Sequence, residues 1–157
     1  MRTLTVISAG LSTPSTTRQV ADQIAAATSA AVSARGENLT IEVIELRNLV
    51  NDLGRALATG MSSPELDKAK ELVSASDGLV VATPVFKASY SGLFKTFFDV
   101  LDSDALNGMP VIIAATAGTA RHSLVLDYAI RPLLTYMRAF IVPTYSKIGR
   151  ASCRERV

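Results

Sequence analysis

The chain has 157 residues, 48% of them apolar and 19% charged, enough for one globular domain with a sizeable core. Its formal charge of +2 is weak: setting aside the last ten residues takes Lys+Arg from 16 to 13 and Asp+Glu from 14 to 13, which leaves a neutral chain with no basic surface for nucleic acid. No apolar run approaches the roughly 20 residues of a membrane helix, and the first residues lack a signal-peptide pattern, so the expectation is a cytoplasmic protein with no membrane partner.

In chain order, residues 3–8 read as a first strand around Leu4, Val6 and Ile7. The next stretch, Ser8 to Arg18, carries six hydroxyls and opens a long Ala-rich helix. Side-chain donors and free backbone N–H groups at such a helix start can ring an anion. Neither GxGxxG nor GxxxxGK[ST] is present, so a compact phosphate monoester fits better than a pyrophosphate. The alternative is that Ser15 or Thr16 only caps the helix. Val20, Ile24, Ala27 and Ala31 share one face of that helix, which stops near Gly36.

Residues 40–46 form a second, more alternating strand. The connection 50–63 reads as partly helical, and Pro64 to Ala75 as a weaker helix. Residues 78–83 are a third strand, apolar throughout its centre, as expected for a strand buried on both faces of a parallel sheet. The loop Thr83 to Gly92 follows. Pro84 fixes its backbone direction, so the chain is expected to leave the sheet there. Phe86 and Tyr90 offer aromatic faces, although Phe86 taken alone reads rather as a core aromatic. Leu93, Phe94, Phe97, Phe98 and Leu101 mark the next helix, with Lys95 and Asp99 as a solvated pair.

Residues 110–116 are a fourth strand, and Thr116 to His122 is a third loop of small residues and hydroxyls. Leu126, Ile130, Leu133, Leu134 and Met137 share a helical face, interrupted by Pro132. Pro132 has no N–H for the carbonyl of Tyr128, so a kink or a π-bulge is expected. Residues 139–144 begin a fifth strand. Residues 148–157 show no period, read as a non-native adapter-derived tail, and imply a domain of residues 1–147 that is incomplete at its C-terminus, leaving an exposed apolar patch. The one cysteine, Cys153, lies in that tail, so no disulfide or thiolate site is expected; with one histidine and no clustered acids, no metal is expected either. No GxSxG element supports a hydrolase triad.

Alternating strands and helices give right-handed βαβ units and a doubly wound parallel α/β sheet in order 2-1-3-4-5. Ligands of such sheets bind beyond the strand carboxyl ends where strand order reverses, which singles out the loops after the first, third and fourth strands.

The stretch Asp77-Gly-Leu-Val-Val-Ala-Thr-Pro-Val-Phe-Lys-Ala-Ser-Tyr-Ser-Gly-Leu-Phe-Lys95, with Ala115 to Thr119, His122 and Asp127-Tyr128-Ala129, resembles the NAD(P)H-dependent FMN reductases over residues 3–145. The branch it resembles supplies reduced flavin to two-component monooxygenases of the alkanesulfonate type. The resemblance implies a flavodoxin-like fold, FMN with NADPH or NADH, a homodimer or homotetramer, and a partner monooxygenase. It implies Ser8, Ser12, Ser15, Thr16 and Thr17 at the phosphate, Pro84, Val85, Phe86 and Lys87 beside the isoalloxazine, and Thr116, Ala117, Gly118 and Thr119 along its other side. It also implies a tyrosine inserted by a π-bulge at a subunit interface, at Tyr128 near Pro132. Ala117 stands where a glycine is usual in the family, and Phe86 where tyrosine is more common. No catalytic side chain is expected, because a flavin carries its own redox chemistry. A quinone or azo-compound reductase with resident FMN is the rival within the class, and a non-catalytic flavin-binding module the rival outside it.

Overall fold

A computed structural model describes residues 1–122, 124–143 and 146–149. Five strands make the spine of one sheet: β1 (Arg2–Ser8), β2 (Leu39–Glu45), β3 (Gly78–Phe86), β5 (Pro110–Ala117) and β6 (Phe140–Ile141). Their spatial order is β2-β1-β3-β5-β6, all neighbours parallel, which is the expected 2-1-3-4-5 arrangement of a flavodoxin-like sheet. A two-residue strand, β4 (Ser89–Tyr90), pairs antiparallel with β3, and β7 (Ser146–Gly149) pairs parallel with β5.

Strand alternation divides the core between two faces. Leu4, Val6, Val80, Ala82 and Ala114 pack against α1 (Thr16–Ser33). Ile7, Leu79, Val81, Val111, Ile113 and Ala115 pack on the other face with residues of α2 (Val50–Thr59), α3 (Pro64–Ser74), α4 (Gly92–Val100) and the segment 125–137. Among the described residues α1 alone contributes helical side chains to the first cluster. Ile112 on that face is only half-buried, and Phe140 on edge strand β6 is 63% exposed, consistent with a partly uncovered apolar surface.

Four expectations shift in detail. On α1 the buried positions are Thr17, Val20, Ala21 and Ala25, whereas Ala27 and Ala31 are exposed. With alanines on every side the helix has no unique apolar stripe, and the face that docks is rotated from Val20 toward Ala21. β3 does not end at Thr83; it runs through Pro84 to Phe86, with Pro84 in register with Thr116. A proline is tolerated near a strand end, where its missing N–H removes no needed bond, so the chain turns back at Lys87 and Ala88 instead of leaving the sheet at Pro84. The fifth strand is short, Phe140–Ile141 with one further bond from Val142 N–H to the Val111 carbonyl (2.9 Å). Thr144 lies outside the described residues. Finally, Ile148 and Gly149 lie in β7, beside Thr116 and Ala117, because backbone pairing needs no side-chain period; residues 150–157 of the expected tail lie outside the described residues.

The helical pattern after β5 resolves as a short turn at Ala120–His122, a π-helical turn over Leu126–Ile130 and α5 (Arg131–Tyr136). The Arg131 N–H reaches the Leu126 carbonyl, five residues back, so the backbone widens into a π-bulge in the turn that precedes Pro132. Leu126 and Ile130 stay buried, while Tyr128 is 75% exposed. No described helix is long and apolar enough to cross a membrane.

Candidate functional site

The first loop is held at three points after it leaves β1. The Ala9 N–H donates to the Ala82 carbonyl (2.9 Å), holding the loop against β3. Ser15 has extended backbone and caps α1, its Oγ accepting from the Arg18 N–H at 3.1 Å. Thr17 is buried, and its hydroxyl lies 2.8 Å from that of Thr116 on β5. Ser15 therefore does cap the helix, as the simpler expectation has it, yet it also lines the cleft described below. The N–H groups of Thr16 and Thr17 sit in the first turn, where no preceding helical carbonyl can take them. Gly10 makes the close approach possible: a Cβ there would stand 2.0 Å from Ser15 Oγ and 3.2 Å from Thr17 Cβ.

The second loop is a hairpin. Val85 pairs with Tyr90 and Phe86 with Ser89, so the turn residues Lys87 (φ 50°) and Ala88 (φ 69°) both occupy the left-handed region. Two-residue hairpin turns of this hand prefer Gly or Asn, and an L-side chain there costs roughly 1–2 kcal/mol. Ala88→Gly is accordingly expected to stabilise the fold by about 1 kcal/mol, raising the melting temperature by about 2–4 °C in a thermal scan. Below the hairpin, the Ser91 N–H donates to Thr83 Oγ1 (3.1 Å), and Ser91 Oγ caps α4 by accepting from the Phe94 N–H (3.2 Å). The reading of Phe86 as a core aromatic is excluded: the ring is 47% exposed on the hairpin.

The third loop continues β5 through Ala117 into Gly118 and Thr119. A Cβ on Gly118 would meet no atom of the described residues within 4 Å, so steric demand from them does not explain a glycine there.

These three loops meet. One cleft of about 390 Å³, within the ~300–1,000 Å³ range of small-molecule pockets, is lined by Ser12, Ser15, Thr16 and Thr17 from the first loop. Pro84, Val85 and Phe86 line it from the second, and Thr116, Ala117 and Gly118 from the third. Leu11, which sequence reasoning passed over, completes the wall. Three expected residues are not in the lining. Ser8 is buried beneath the loop, its Oγ accepting from the Gly10 N–H at 3.4 Å; Lys87 lies at the hairpin tip and Thr119 just beyond Gly118, both exposed. Gly10 was also missed, and its sequence signal was thin: one glycine between a strand and a hydroxyl run.

Arg18 borders the first loop but is committed elsewhere. Its Nε donates to Asp22 (2.8 Å) and its Nη1 lies 3.2 Å from Glu45, and the Asp22 hydrogen bond foremost raises the guanidinium pKa above its usual value. Among the described residues no group of three His, Cys, Asp or Glu side chains could hold a metal ion. A larger cleft, about 640 Å³, lies between α4 and the segment 128–137, bordered by Tyr128 and Tyr136; its Lys95 and Asp99 pair with each other at 2.7 Å.

A parallel sheet in this strand order, with a hydroxyl-rich cleft at its carboxyl edge across the order reversal, defines a flavodoxin-like α/β class. The chain belongs to the NADPH-dependent FMN reductase family, whose model matches residues 2–152. It is similar to the FMN reductase (NADPH) of Pseudomonas aeruginosa, at 42% identity over 118 residues, or 74% of this chain; the match spans only 63% of that relative's length. A crystal structure of an oxidoreductase from Corynebacterium diphtheriae superposes with a TM-score of 0.91 at 67% identity, covering 94% of this chain and 81% of that one. The NADH:FMN oxidoreductase EmoB, in its apo form, superposes at 0.79 with 33% identity, covering 94% and 75%.

Proposed function

We propose that the protein is an NAD(P)H-dependent FMN reductase, with the 390 Å³ cleft as its flavin site. The observation that carries this reading is the convergence of the three loops, with the Thr17–Thr116 hydroxyl contact tying the start of α1 to β5. The residues present fit the group: hydroxyls and free N–H groups at one end suit a phosphate, and Gly118, whose missing side chain serves no protein contact, leaves room for a flat ring.

In this reading the N–H groups of Thr16 and Thr17 and the hydroxyls of Ser12, Ser15 and Thr16 hold the phosphate. Ser8 supports the loop from below. Pro84, Val85 and Phe86 border one side of the ring; Thr116, Ala117 and Gly118 border the other, with Thr119 at the rim. Lys87 stands at the hairpin tip, where its charge favours a reduced, more negative ring. Bound FMN would supply the redox chemistry, taking up a hydride from the nicotinamide. The protein's contribution is then orientation and electrostatics. Delivery of reduced flavin to a partner monooxygenase belongs to the same proposal, supported by the family resemblance. So does assembly as a homodimer or homotetramer, supported by the exposed Tyr128 and Tyr136 beside the larger cleft.

The test is direct. Protein mixed with NADPH or NADH and FMN is expected to consume the nicotinamide, read at 340 nm, with saturable dependence on added FMN. Turnover that needs a quinone or azo acceptor but no added FMN would move the assignment to the resident-flavin reductases. No oxidation above background would remove the enzyme reading.

A further inference from the structure

One side chain outside the cleft lining reaches across to the first loop from the neighbouring strand. Arg47 lies in the short turn Leu46–Leu49 that follows β2. Its Nη1 donates to the Ser12 carbonyl (2.9 Å) and to the Thr13 hydroxyl, and its Nη2 to Glu45 (3.2 Å). Glu45 ends β2 in register with Ser8, and it also faces Nη1 of Arg18 on α1 at 3.2 Å. The guanidinium thus bridges the end of β2 and the outer bend of the loop. The side chains of Glu45 and Arg47 are only 20% and 27% exposed, so this is not a freely solvated surface pair.

The bend needs such a support. Residues 11–14 are all exposed and bury little that would hold them in place. The loop's other attachments lie at its two ends, Ala9 on β3, and Ser15 and Thr17 at the start of α1. A planar fork that binds a carbonyl, a hydroxyl and a carboxylate together fixes orientation in a way that a single ammonium cannot. A loop already held in its binding shape loses less freedom when ligand arrives.

We propose that Arg47, braced by Glu45, is a positioning residue that holds residues 11–14 in the shape that receives the phosphate of FMN. This rests on the flavin reading above. It separates two ligands that share a ring: FMN, which has the phosphate, and riboflavin, which lacks it.

Flavin fluorescence titrations with both ligands test it, on the wild type, Arg47→Met and Arg47→Lys. Arg47→Met is expected to raise the Kd for FMN by about tenfold, the loss of hydrogen bonds from a charged donor, and to leave the Kd for riboflavin within about twofold. The KM for FMN should rise with it while kcat at saturating FMN stays within about twofold. Arg47→Lys should fall between, restoring charge without the fork. If Arg47→Met is recovered unfolded, Glu45→Gln, which keeps the guanidinium but weakens its brace, should shift FMN and riboflavin apart in the same sense. FMN affinity equal to wild type, or parallel loss of both flavins, overturns the inference. Failure of the wild type to bind either flavin overturns the functional reading first, and this inference with it.

Discussion

Gly10→Ala is expected to cost about 2–4 kcal/mol of stability and to weaken FMN binding by about tenfold or more. The added methyl would stand 2.0 Å from Ser15 Oγ, 3.1 Å from Ser15 Cβ and 3.2 Å from Thr17 Cβ. Rotating the Ser15 hydroxyl relieves only the first contact, and it forfeits the bond from the Arg18 N–H, a helix cap worth about 1 kcal/mol. The two carbon contacts remain, and overpacking of that kind costs about 1–3 kcal/mol. For a domain of this size the sum corresponds to a fall of roughly 5–15 °C in melting temperature. The binding loss follows because the residues displaced, Ser15 and Thr17, line the cleft. Thermal unfolding and an FMN titration on the same sample check both halves. A variant that melts and binds like the wild type would show that the loop is not packed as tightly as described.

The second large effect is expected at Phe94. Its side chain is fully buried, with its ring 4.7 Å from that of Phe98 and 5.7 Å from that of Tyr90 on β4. Phe94→Ala removes a large core ring beneath the hairpin, for which about 3–5 kcal/mol is the usual cost. Against a total stability of about 5–15 kcal/mol this is a large share. Urea unfolding should show a lower midpoint with an unchanged slope. A midpoint shift worth less than about 1 kcal/mol would mean that the aromatic group under β4 is not part of the core.

The fold was legible because its strands are unambiguous. Val80 and Val81 face opposite core clusters, so β3 must be apolar at consecutive positions, and it reads so. The cleft was legible for a related reason: the sheet's carboxyl edge limits where a ligand can sit, and the unusual sequence lies in the loops at that edge. Three things were hidden. The turn at Lys87 and Ala88 carries none of the usual hairpin residues, and Pro84 points to an exit, so nothing local announces β4. Arg47 was hidden by the assumption that only strands at the order reversal matter. Its neighbour Glu45 ends β2 on the same edge, in register with Ser8, and a short charged run at that place was the available signal. The rotated face of α1 belongs with these: where every side of a helix is alanine, periodicity does not choose among them.

Thr116 has a consequence beyond its place in the cleft wall. It pairs with Pro84 in the ladder, touches the hydroxyl of Thr17, and lies in register with Ile148 on its other side. All three walls of the cleft are therefore fastened to one post, and a disturbance at any of them is felt by the others through it. The walls act as a unit rather than as separate flaps, and energies measured by altering one wall at a time cannot be summed as though the others stood still.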